Sequence, residues 1–486
     1  MRPARIPRER AAALCALAIA FPAAQQPAEP QAPRHPSQPA LELEDAVAAL
    51  VRPERAQARV RELVALGPRM GGTESGRRAA EWTERMFASA GLEVRVLEDP
   101  PGWCHEETSW SVSALREGAE PRKLESAWPY GFSPTASGRA GLGLEPAPGG
   151  ALLAARAPRT AGEGAAPAVV LVDGATTLDG SYPVIGHLRE GDSNPAPVFG
   201  LSRAEGGLLR GWLAEGTAVE IEFALEARIV RAAPLTVVAR IPARGANGEA
   251  QGWTAEHLLF CAHGDSDAGG PGADDNASGI AVVAEIACAW SEAIRRGILP
   301  PPRREVRFAV WGAEIRSSRA YLERADPLGA PLAVINYDQA GFGSGADQVN
   351  VEPDDLPANE RLVRTLAAVF AEHAGEEGFP ARWATNKSLG GTDSYVFSGS
   401  QLFRERSRPA VTVFSSAWGR PDEHPRTPGM PGESWSDREL VSVDYDLYYH
   451  SAGDIPENTT DREPWNMAWC ARAGLLGALR YLELLE

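Results

Sequence analysis

Basic charge is in short supply in this 486-residue chain, where 48 lysines and arginines face 65 aspartates and glutamates and leave a formal net charge of -17. Nucleic-acid affinity comes mainly from basic residues that neutralise phosphates, so a polyanion-binding surface is not expected. Cysteine is scarce too: there are five, none in a CxxC pair, which argues against a structural zinc site. Cys104, Cys261, Cys288 and Cys470 are widely spaced, and the sequence leaves their pairing open. Cys261 falls in an apolar strand pattern and Cys288 in a helical one, where buried free thiols are common. Long apolar runs are missing as well. The run from Ala11 to Ala24 is too short to span a bilayer easily, and no later segment is expected to reach the roughly 20 apolar residues a spanning helix needs. No internal repeat is visible.

What is present is ordinary globular material, 44% hydrophobic and 23% charged, so no large part need be disordered or fibrous. The start, "MRPARIPRERAAALCALAIAFPAAQQPAEPQAPRHPSQPALE", has the layout of a secretory signal peptide over residues 1–24 and a Pro-rich linker over 25–44. Such a protein would be secreted or periplasmic, with no stable membrane anchor. The other reading of this stretch is a disordered alanine-rich tail.

From residue 45 the pattern is helical through "ERAQARVRELVALG" and "ESGRRAAEWTERMFASAG", then alternates as a strand in "LEVRVLE". Short strands around one helix, "AVVLVDG", "APVFGLSRAEGGLLRGWLAEG" and "AVEIEFALEARIV", read as a small β-rich insert over 136–230. The main domain is then residues 45–135 and 231–486. Its second part alternates strand and helix: "HLLFCAH", "SGIAVVAEIACAWSEAI", "EVRFAVWGA", "RSSRAYLERA", "LAVINYDQ", "NERLVRTLAAVFAEHAG", "PAVTVFS" and a last helix "WNMAWCARAGLLGALRYLELL". This predicts an α/β fold, a three-layer sandwich with a mostly parallel central sheet. In "SGIAVVAEIACAWSEAI", Ile280, Val283, Ile286, Ala287 and Trp290 form a core face.

In such sheets chemistry collects beyond the carboxyl ends of the strands. "HLLFCAH" delivers His263 and then Asp265, the loop "DSDAGGPGADDNASG" carries Asp274 and Asp275, "EVRFAVWGA" leads to Glu314, and "LAVINYD" to Asp338. "DYDLYYHSAGDIPENTT" adds His450. Each has a bland reading, since a strand-end aspartate is usually a turn former, acids charge helix N-termini, and a histidine in a polar loop is usually a surface residue. Together, an imidazole and several carboxylates on one rim match the N/O ligand set of zinc.

The segments "HGDSDAGGPGADDNASG", "WGAE", "INYDQAG" and "YYHSAGDIPENT" resemble the zinc-dependent exopeptidase family of bacterial leucyl aminopeptidases, with glutamate carboxypeptidases and glutaminyl cyclases as more remote relatives. The opening "ELVALGPRMGGTESGRRAAEWTERMFASAGLEV" is similar to that family's, and the insert resembles a protease-associated domain. The resemblance implies a phosphorylase/hydrolase-like fold and peptide substrates. It implies one zinc held by His263 and Asp338, with Asp275 bridging to a second metal that His450 also binds. Asp265 would orient His263, as ligating histidines generally require, and Glu314 would be the general base.

One position departs from the family. There the base is followed directly by a second acid that ligates the second metal, and here that position is Ile315. Three outcomes stay open: another acid, Asp393 or Glu352, swings in; one zinc at His263, Asp275 and Asp338 suffices; or Glu314 itself becomes a ligand. The expected function is a secreted zinc aminopeptidase. The alternatives are a non-catalytic binding protein on a peptidase scaffold, glutaminyl cyclisation, or carboxypeptidase activity. Arg316, Arg319 and Arg404 could serve a carboxypeptidase, although each also reads as solvated surface.

Overall fold

The computed structural model describes residues 38–157, 166–244, 249, 252–253, 256–266, 269–324, 328–343, 348–387, 391–398, 407–415 and 446–484. The signal-peptide expectation and Arg404 lie outside these residues. Residues 38–44, expected to end a linker, instead open helix α1 (Gln38–Ala48), in which Ala40 and Glu44 are buried. Helix α2 (Pro53–Val64) starts on a proline, whose fixed φ suits a first helical position. The cap of α3 (Glu74–Ser89) is Thr73, whose hydroxyl accepts from the Gly76 amide.

Strand β1 (Glu93–Glu98) is followed by eight strands that form a sheet of their own: β2 (Gly102–Arg116), β3 (Arg122–Lys123), β4 (Trp128–Pro129), β5 (Ala136–Gly143), β6 (Ala151–Ala154), β7 (Val169–Val172), β8 (Val198–Gly200) and β9 (Val219–Ala232). Their order is β3-β2-β9-β5-β6-β7-β8-β4, and helix α4 (Arg203–Ala214) packs Leu209 into their core with Leu171, Phe199 and Ile221. This sheet begins at Gly102, ahead of residue 136, because β2 pairs antiparallel with β9 along its whole length.

The chain then builds the main sheet with β10 (Leu235–Ile241), β11 (His257–His263), β12 (Glu305–Trp311), β13 (Pro331–Tyr337), β14 (Gln348–Glu352), β15 (Arg382–Thr385) and β16 (Ala410–Phe414), in the order β1-β10-β12-β11-β13-β16-β14-β15. The four central strands β12, β11, β13 and β16 are parallel, and antiparallel pairs flank them. β11, β12 and β16 are buried at every residue, as strands covered on both faces must be. Alternate side chains reach two cores. Leu258, Phe260, Phe308 and Ile335 face α2, α3, α5 (Gly279–Arg295), α7 (Glu360–His373) and α9 (Asn466–Tyr481). Leu259, Cys261, Trp311 and Val334 face the thinner layer of α6 (Arg316–Glu323) and α8 (Asp393–Phe397).

The five core-face residues of α5 are all buried. Contrary to expectation, Ala273–Arg295 is long and apolar enough by composition to cross a membrane, with a mean hydropathy of 1.4 over its most apolar window. That window is 78% buried inside the fold, as a central core helix would be. Cys104, Cys261, Cys288 and Cys470 are all free thiols.

Candidate metal centre

Strands β12, β11 and β13 lie side by side, with His263 level with Trp311 and Cys261 level with Asn336. Their carboxyl ends therefore bring His263, Glu314 and Asp338 to one rim, with ligand atoms of all three within 4.8 Å of one another. Asp275 arrives from the turn Ala273–Ser278, which leads into α5. That turn begins after Gly272, at φ 62; a Cβ there would run into Ser266, the Asp275 carbonyl and the Arg69 guanidinium, so only glycine fits.

The two oxygens of Asp275 face two different imidazoles. Oδ1 lies 3.2 Å from His263 Nε2, and Oδ2 lies 3.2 Å from His450 Nε2. Asp338 Oδ1 is 3.4 Å from His263 Nε2 and, buried, has no hydrogen-bond partner. These spacings match the edge of a tetrahedron with metal–ligand bonds of about 2.0–2.1 Å, about 3.3 Å. On the far side of the ring, His263 Nδ1 donates to the Asp265 carbonyl at 2.9 Å and lies 3.3 Å from its Oδ1, which turns Nε2 towards Asp275 and Asp338, where it could ligate a metal. Asp265 also accepts the Glu314 amide at 3.0 Å, fixing the backbone from which Glu314 projects.

The electrostatics of the cluster suit a cation. Burial pushes the His263 imidazole down, yet Asp338, Glu314, Asp265 and Asp275 outweigh it and leave the ring well above the ordinary histidine value. Burial likewise lifts the Glu314 carboxyl far above its usual range; Asp338, Asp393 and Asp275 add to this and His263 opposes it. Asp275 is also pushed up by burial, but its bonds to His263 and His450 reverse the sign and hold it below the normal range. Oxygen and imidazole donors with the right spacing and an excess of negative charge fit a divalent metal such as zinc.

The neighbourhood of Ile315 answers the question its identity raises. Its side chain packs on the cluster of Trp311 and Phe397, its φ is 56, and its amide donates to Asp393 Oδ1 at 2.8 Å. Positive φ is unusual for a β-branched residue and carries strain of about 1–3 kcal/mol. Asp393 is thus engaged in holding the turn after Glu314, and its carboxyl is pushed up to about 7, chiefly by burial. Glu352 ends β14, opposite Thr412 of β16. Among the described residues, neither joins the ligand cluster.

Two residues that hold the centre carry no expectation from sequence. Asp454 accepts the amides of Asp274 (2.8 Å) and Asp275 (3.0 Å) with its two oxygens. Arg69 is buried with its guanidinium donating to the carbonyls of Gly264, Pro271 and Gly272, tying together the loops that carry His263 and Asp275; burial lowers its pKa to about 10. The His450 loop leans on the second sheet's side of the molecule. Ile185 donates to the His450 carbonyl at 2.8 Å, Ala452 to that of Pro183 at 3.1 Å, and the Tyr182 ring meets Tyr448 edge-on.

Residues 237–474 match the model of peptidase family M28. No curated protein matches the chain. Among solved structures, the chain is similar to a peptidase M28 precursor from Shewanella amazonensis, at 17% identity and a TM-score of 0.60, covering 91% of this chain and 96% of that one. It is similar to a zinc aminopeptidase from Bacillus subtilis at 18% identity and a TM-score of 0.57, covering 88% and 95%. An aminopeptidase from Aneurinibacillus sp. strain AM-1 follows at 18% identity and a TM-score of 0.51, covering 90% and 95%. These likenesses establish the α/β fold expected from the strand and helix pattern.

Proposed function

We propose, from the match of residues 237–474 to peptidase family M28, that the protein is a zinc-dependent aminopeptidase that removes N-terminal residues from peptides. The observation that carries this reading is the convergence of His263, Glu314 and Asp338 from three adjacent strand ends. His263, Asp275 and Asp338 would hold one zinc. His450 and the second oxygen of Asp275 offer a weaker second position, because Ile315 supplies no ligand. Zinc, when bound there, would supply a Lewis acid for the scissile carbonyl and lower the pKa of water towards neutrality. Glu314 takes the proton of the attacking water and passes it to the leaving amine. Asp265 keeps the His263 ring oriented. The Arg-rich, alanine-rich N-terminus supports export to the periplasm or medium, and the sheet of β2 to β9 takes the part of a protease-associated domain.

Elemental analysis beside a panel of aminoacyl-anilides and dipeptides tests the reading. Bound zinc with release of N-terminal residues is the expected result. Zinc with no hydrolysis of any substrate would favour a binding protein on a peptidase scaffold, a reading that Ile315 keeps in play, and a chain that binds no metal would rule out both. Ile315→Glu is expected to raise the zinc content from near one per chain towards two, as read by the same analysis. An unchanged content would mean that the second position is closed for another reason.

A further inference from the structure

Beside Glu314 a cavity of about 300 Å³ opens between the catalytic rim and the second sheet. Glu314, Asp265 and Arg316 of the main domain line it together with Trp103, His105 and Glu190. Arg316 is not the solvated surface residue that its sequence context allowed. Its guanidinium lies against the main chain of Gly102, where a Cβ would collide with Nη1, and its Nη2 lies 3.8 Å from the Cys104 sulfur. Its Nε is buried without a partner, and no carboxylate among the described residues forms an ion pair with it. Asp99 feels the Arg316 charge without pairing with it, its carboxyl being bonded to the Thr236 hydroxyl at 2.6 Å and to Arg324 at 3.3 Å.

Of the cavity's acids, Asp265 holds the Glu314 amide, Glu314 stands on the rim beside His263 and Asp338, and Glu190 is exposed and forms no ion pair with Arg316 among the described residues. His105, also in the lining, has Nδ1 fixed by Glu107 at 2.9 Å, its Nε2 has no partner, and its ring meets His187 edge-on at 5.2 Å. A half-buried guanidinium keeps its charge at any working pH and presents parallel N–H groups that match a carboxylate. Held in place and with no carboxylate in ion-pair contact among the described residues, it is preorganised for one that arrives with the substrate.

We infer that this cavity receives a carboxylate carried by the substrate next to the scissile bond, with Arg316 as its specificity-determining partner. This rests on the peptidase reading above and narrows it. The carboxylate has two possible sources, an acidic side chain or the free α-carboxyl of a very short peptide.

The test uses the zinc-loaded full chain and two matched pairs: glutamyl- against glutaminyl-anilide, and alanyl-alanine against its C-terminal amide. We expect the carboxylate member of one pair to have at least a tenfold higher kcat/KM, and that pair identifies the source. Arg316→Gln should collapse that ratio at least tenfold, mainly through KM, and Arg316→Lys should restore part of it. Arg316→Glu should turn the preference towards a lysyl-anilide. Ratios near one in both pairs would overturn the inference while hydrolysis of the neutral members left the peptidase reading standing. A wild-type preference that survives Arg316→Gln would also overturn it. No hydrolysis of any substrate would take both readings down. If the glutamine variant does not fold, the wild-type ratios decide.

Discussion

Glu314→Gln is expected to lower kcat by about 10³-fold, within the range that loss of a general base costs, while zinc content and thermal stability stay close to wild type. The replacement is isosteric and removes one negative charge from a rim that already holds too many, so there is no reason for the fold to suffer. The Glu314 backbone stays anchored by Asp265 and, one residue on, by Asp393. What is lost is the only rim carboxylate that the proposed assignment leaves free to move a proton. Steady-state kinetics and elemental analysis on the same preparation read both quantities. A fall in zinc content that tracks the fall in kcat would instead make Glu314 a ligand, the third of the outcomes that Ile315 leaves open.

Asp454→Ala is expected to act through structure. It leaves the buried amides of Asp274 and Asp275 without acceptors, at a cost of about 1–3 kcal/mol each, so roughly 2–6 kcal/mol in all. It also frees the segment that presents Asp275, and zinc affinity should drop about 10–100-fold, as it does when groups orienting metal ligands are removed. Urea unfolding of the metal-free protein measures the first effect and competition with a chromogenic chelator the second. Asp454→Asn keeps one acceptor oxygen and should fall between Asp454→Ala and wild type. Equal stability of the alanine variant and wild type would show that water replaces the carboxylate.

The residues that meet at the rim were legible because they obey a local rule. Each of His263, Glu314 and Asp338 follows an apolar run that could only be a buried strand, and parallel order brings consecutive strand ends to one rim. Arg69 and Asp454 were not legible, because their work consists of hydrogen bonds to main-chain atoms distant in the sequence, about 200 and 180 positions away. An arginine in "GPRMGG" and an aspartate in "SAGDIPE" give no periodic signal. The start of the second sheet was missed for a similar reason. "GWCHEETSWSVSALR" mixes charge and aromatics, and it reads as a long strand only once β9 is seen beside it. Ile315 was noticed for the ligand it lacks, whereas its main-chain strain and its bond to Asp393 belong to tertiary structure alone.

The contact between Pro183–Ile185 and the His450 loop bears on how freely such architectures can be recombined. A module joined to its host only through its two chain ends could be exchanged for a foreign one as a cassette. Here the graft would also have to reproduce three consecutive residues that meet the host's own histidine loop, or the recipient would lose the register of that histidine along with the donor's sheet. The unit of exchange is therefore the module together with its landing strip, and a chimera that respects only the strand boundaries should bind its metal poorly.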